Sequence, residues 1–144
     1  MFIDSQLLFS DAQAITAAAA STNSVDFGAG VKDLGLGESI FVAINVDVAL
    51  TDGGSDSTLT VALQTDTDPA FGSPTTVKTL ITIPALAAIG SAYFASIEPG
   101  DIAERYCRLY FTPNSGNLTT GSVTCAIVKD IQKQVIYPKG YTIV

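Results

Sequence analysis

From Ile40 to Leu50 the chain alternates with a period of two. Ile40, Val42, Ile44, Val46, Val48 and Leu50 fall on one side, and Phe41, Ala43, Asn45, Asp47 and Ala49 on the other. Successive side chains point to opposite faces only in extended backbone, so this spacing predicts one long strand over 39–50 with a buried face. Asp52-Gly53-Gly54-Ser55-Asp56 follows, a run of turn-forming residues. Residues 58–65 alternate again, with Leu59, Val61 and Leu63 set against Thr58, Thr60, Ala62 and Gln64. Two alternating runs joined by a short turn read as a hairpin.

The rest of the chain repeats this rhythm. Residues 66–74 hold two prolines, a glycine and two aspartates, and read as a loop. A strand is expected over 75–83, stopped by Pro84. The Ala-rich stretch 85–90 suggests one helical turn, and 91–97 a short strand with Tyr93 and Phe94. A further strand spans 104–112, with Arg105, Cys107, Leu109 and Phe111 opposite Tyr106, Arg108 and Tyr110. Residues 121–129 carry Val123, Cys125 and Ile127 on one face. The first third is ambiguous. Ser10-Asp11 before Ala12 could cap a short helix, or the segment could be an extended arm. Residues 24–27 look like another short strand. Short strands joined by Gly, Pro and Asp loops, without a βαβ rhythm, argue for an all-β, antiparallel sandwich.

Composition narrows the chemistry. The 144 residues are 47% hydrophobic and 15% charged, which suits one domain with a real core and excludes a disordered chain. The net charge of −7 disfavours direct nucleic-acid binding, since phosphates repel it. No apolar run approaches the roughly 20 residues that span a bilayer, so no membrane partner is expected. Met1-Phe2-Ile3-Asp4 lacks the basic leader of a signal peptide, and synthesis in the cytoplasm is expected.

There is no histidine. The commonest general base and metal ligand is therefore missing, and Ser–His or Cys–His nucleophiles cannot be assembled. No catalytic residue, cofactor site or metal site is expected, and the chain reads as a non-enzyme. Asp52, Asp56, Asp66 and Asp68 crowd two loops that the hairpin would bring to one end, which raises calcium as an option. Their spacing lacks an EF-hand pattern, and turn formation is the plainer role. Cys107 and Cys125 sit in apolar runs and read as buried, reduced thiols, with a cross-strand disulfide as the alternative. Arg108 either pairs inside the fold, with Glu98, Asp101 or Glu104, or anchors an interface.

The termini are the strangest part. Phe2, Ile3, Leu7, Leu8 and Phe9 place five large apolar side chains within nine residues. Such a terminus needs cover: it is either an edge strand of its own sandwich or an arm docked on another subunit. Ile136, Tyr137 and Tyr141 pose the same question at the other end. The chain thus divides into an N-terminal arm and connection (1–23), a sandwich (24–130) and a C-terminal tail (131–144). With Arg108, the apolar residues of both termini are the candidate interface.

Several stretches resemble a family of capsid cement, or decoration, proteins of tailed bacteriophages. They are Met1 to Asp4, Leu7 to Ile15, Ser21-Thr22-Asn23, Gly53 to Thr60, Thr65 to Pro74 with its Phe71, Glu104 to Phe111 and Gly116 to Thr124. The opening segment and Arg105-Tyr106-Cys107-Arg108-Leu109-Tyr110 are the specific pieces. The resemblance reaches to about Asp130 and is weakest in the tail. It implies a jelly-roll domain on the outer face of a phage head, made in the bacterial host cytoplasm and bridging neighbouring copies of the major capsid protein. It also implies a homo-oligomer, a dimer before a trimer, and offers no catalytic residue. The rival expectation is a carbohydrate-binding jelly roll on the phage surface, using Tyr93, Tyr106 and Tyr110 to stack on sugar rings. A hydrolase with unrecognised carboxylates is the third.

Overall fold

A computed structural model describes residues 4–29 and 40–129. Among the described residues, a 3-10 turn at Ser5–Leu7 is followed by nine strands. These are β1 (Leu8–Ala14), β2 (Ala19–Ala20), β3 (Val25–Asp26), β4 (Ile40–Thr51), β5 (Thr58–Asp66), β6 (Thr75–Ile83), β7 (Ala92–Ile97), β8 (Tyr106–Asn114) and β9 (Thr120–Val128). One sheet has the order β1-β9-β4-β7. The other has the order β2-β8-β5-β6, with β3 also paired to β8. All pairings are antiparallel. Counting β2 and β3 as one interrupted strand, this order is that of an eight-stranded jelly roll.

The alternation read in the sequence does the packing. Leu59, Val61 and Leu63 of β5, Cys107, Leu109 and Phe111 of β8, and Val123 and Cys125 of β9 have no accessible surface. Val42, Ile44 and Val46 of β4, beside β9, close the core against β5 and β8 of the other sheet. Burying each such side chain contributes roughly 1.5–3 kcal/mol. Gly121 lets the strands converge, since a Cβ there would lie 2.6 Å from Leu50 Cδ2. Cys107 and Cys125 are both free and stand in different sheets. Burial pushes each thiol up to about 12, so both remain protonated at neutral pH.

Four expectations change. The β4–β5 hairpin does not form: β4 pairs with β7 and β9, β5 pairs with β6 and β8, and the turn between them crosses from one sheet to the other. Val48 does not follow the buried face. Register shifts between Val46 and Val48, and between Val48 and Thr51, interrupt the alternation and leave Val48 48% exposed. No helical turn forms at 85–90; that stretch is a loop, with Leu50 N donating to Ala87 O at 3.0 Å and Gly90 N to Val46 O at 2.8 Å. The first third holds no α-helix among the described residues, and from Leu8 onward the supposed arm is a strand of the sandwich.

Candidate interface surfaces

Leu7 packs against the core and is half-buried. Phe9 is wholly inside it, with no accessible surface, so its side chain serves this domain and not a neighbour. Leu8 alternates to the outside, where the β1-β9-β4-β7 sheet sets Leu8, Ala126, Ala43 and Phe94 in one cross-strand row. Phe2, Ile3, Ile136, Tyr137 and Tyr141 lie outside the described residues.

Arg108 lies on the outside of the other sheet. Its neighbours Cys107 and Leu109 point inward. Its Nε donates to Gln64 Oε1 at 2.9 Å, and its guanidinium sits 4.3 Å from the centroid of the Phe71 ring. Gln64 Nε2 in turn donates to Thr76 Oγ1 at 3.2 Å. The side chain is thus paired within the fold, though with Gln64 and Phe71, not with the three carboxylates expected. Asp101 instead pairs with Lys78, and Glu98 accepts from Ser96 Oγ at 2.8 Å. Arg105 makes a two-pronged contact with Asp26, both hydrogen bonds at 2.8 Å. Leu8 and Arg108 face away from each other across the sandwich, so one flat partner surface cannot cover both.

The aspartates act as turn formers. Asp52 accepts from Gly54 N at 2.9 Å and Ser57 N at 3.3 Å. Asp66 accepts from Asp68 N at 2.9 Å and Ser73 N at 3.1 Å, and Asp68 accepts from Ala70 N at 2.9 Å. The two loops stand at opposite ends of β5, not at one end, because one leads into that strand and the other leaves it. Among the described residues no group of three or more potential metal ligands comes together. The amide donated by Asp68, the largest influence, and the one donated by Ser73 hold the Asp66 carboxyl below its ordinary value of 3.8.

The three tyrosines do not form one platform. Tyr106 and Tyr110 share the outside of the β2-β8-β5-β6 sheet, whereas Tyr93 packs against the core from the other sheet. An open groove of about 710 Å³ runs past Ser5, Gln6, Leu8, Thr22, Asn23, Ser24 and Asp26, with no aromatic wall. No helix among the described residues is long and apolar enough to cross a membrane.

A family model described as Bbp16 matches residues 9–127, most of the chain and nearly all of the sandwich. The chain belongs to the Bbp16 family. The matched span opens at Phe9, the first wholly buried side chain among the described residues of the Bbp16 domain, and closes at Ile127, an inward residue of β9. No curated protein matches the sequence.

Sequence reasoning missed a third surface. Among the described residues the exposed large apolar side chains are Val48, Leu86 and Ile89. Val48 had been assigned inward by strict alternation, and only the bulges of β4 reverse it. Leu86 and Ile89 sat in a stretch too short and alanine-rich to suggest a surface.

Proposed function

We propose that this Bbp16-family chain is a structural virion protein, a capsid cement protein that binds the outer surface of a tailed-phage head. It would bridge neighbouring major capsid proteins as a homo-oligomer, a dimer before a trimer. The observation that carries the reading is the jelly-roll strand order. It is the architecture implied by the sequence resemblance to cement proteins, and it recurs in viral capsid domains. The fold alone assigns no function, so the reading also leans on the surfaces. Asp52, Asp66 and Arg108 are spent on turns and pairs within the fold, and the chain contains no histidine. The proposed role is mechanical, and no catalytic step is assigned.

Such a role needs little affinity per copy. A protein that binds only the assembled shell stabilises it by mass action, against the pressure of packed, self-repelling DNA. Many bridges acting together multiply modest single contacts. The net charge of −7 disfavours contact with packaged nucleic acid, which suits a place on the outside.

The test is sedimentation of purified protein with expanded heads that lack it, followed by heating. Co-sedimentation, and DNA release at a higher temperature, are expected. Absence of binding with an unchanged release temperature sinks the reading.

A further inference from the structure

The apolar tip formed by Val48, Leu86 and Ile89 is built, not left over. All three belong to one corner, where β4 runs beside the loop joining β6 to β7. The hydrogen bonds from Leu50 N to Ala87 O and from Gly90 N to Val46 O lay this loop along β4 at the level of Val48. Two separate irregularities turn the side chains outward. Register shifts on both sides of Val48 take it off the buried face, leaving it 48% exposed. Leu86 adopts φ +57°, a left-handed conformation that favours glycine, and stands 52% exposed. Ile89 is 71% exposed. Bulges and strained residues that re-aim side chains cluster at functional sites. The loop is anchored inside the domain by Ala87, which is buried in the core, yet the side chains of Leu86 and Ile89 on either side of it are left in solvent.

The charge around the tip selects the partner. Asp47 and Asp52 flank it on β4 and just beyond, and Asp56 follows in the same crossing turn. Every described cation lies elsewhere. Arg105, Arg108 and Lys129 sit toward the opposite end of the sandwich, and Lys78 faces Leu63 across β6 and β5. A second copy meeting this corner tip to tip would bring acid against acid. A surface offering an apolar recess rimmed by Lys or Arg complements it in both shape and sign.

We infer that this corner is the docking tip of the protein, inserting Val48, Leu86 and Ile89 into a basic-rimmed apolar recess on the coat subunit. The inference rests on the capsid reading and names the surface that makes the contact. All three are exposed, Ile89 the most, so replacing them is expected to leave a folded domain.

The experiment is quantitative co-sedimentation with expanded heads, using the full chain, the variant Val48→Ser/Leu86→Ser/Ile89→Ser, and Thr79→Ser as an exposed control on the other sheet. Circular dichroism confirms that each is folded. The triple variant is expected to bind at least tenfold more weakly, with Thr79→Ser unchanged. The Asp56→Asn variant is expected to lose part of the salt sensitivity of binding. Wild-type-like binding of the triple variant, beside good binding of the parent, overturns the docking tip and leaves the capsid reading standing. Failure of the parent itself to bind overturns both.

Discussion

Phe71 and Leu86 bracket strand β6 and share one backbone compromise. Phe71 sits at φ +51° and Leu86 at φ +57°, a region that costs an ordinary L-residue about 1–2 kcal/mol. Their fates are opposite. Phe71 is 8% exposed, covered by the Arg108 guanidinium. Its loop is sewn by its own aspartates, with Phe71 N donating to Asp68 O at 3.0 Å. The strain there is offset inside the chain by packing and by a cation–π contact. Leu86 has the same strain with its side chain mostly in water. One loop is a closed joint that buries its strained side chain; the other is held by its backbone and by Ala87, and leaves its strained side chain exposed.

Substitutions can break this contrast. The largest effect is expected from Phe71→Ala, which empties the pocket under Arg108 while keeping the left-handed backbone. A loss of about 3 kcal/mol in urea unfolding is expected, at the lower end of Phe-to-Ala costs in cores because the site is a loop. Arg108→Ala should cost about 1–2 kcal/mol, through the lost ring contact and an unpaired Gln64. In a double-mutant cycle with Phe71→Ala the two losses should fall short of adding, since they remove the same contact.

Leu86→Gly is expected to move the other way. Relief of strain exceeds the extra freedom glycine gives the unfolded chain, and a gain of about 0.5 kcal/mol follows. A loss as large as that of Phe71→Ala would show that Leu86 is packed after all.

The last prediction concerns Asp66 and its pH dependence. Its folded carboxyl titrates below the ordinary 3.8, so its charge stabilises the fold fully above that value. The contribution disappears as pH falls from 3.8 through the lower folded value. The stability gap between wild type and Asp66→Asn should therefore be level from pH 8 to 5 and close below pH 4. Parallel curves down to pH 2 would remove Asp66 from the account of this loop.

The same contrast explains what the sequence could reveal. Strand β6 matches its expected span of 75–83, because alternation and a following proline are local signals. Inward residues of β5, β8 and β9 were legible for the same reason. Pairing was not. The hairpin assigned to β4 and β5 rested on a turn that suits a hairpin and a sheet-to-sheet crossing equally, and only the whole core decides between them. Val48 was misassigned because a bulge shifts register without a residue that announces it. Leu8 and Phe9 show the limit at the terminus. Five apolar residues demanded cover, but whether β9 or a neighbour supplied it was a tertiary matter. Of the candidate surfaces, Arg108 was legible as an intramolecular partner, though not its companions Gln64 and Phe71, which lie far away in sequence. The tip at Leu86 and Ile89 gave no periodic signal.

The most direct measurement is an electron-microscopy map of expanded heads incubated with the protein. The account predicts jelly-roll density on the outer surface, with the β6–β7 corner pressed against the coat. A bare shell, in a sample where the protein is folded and in excess, would contradict it.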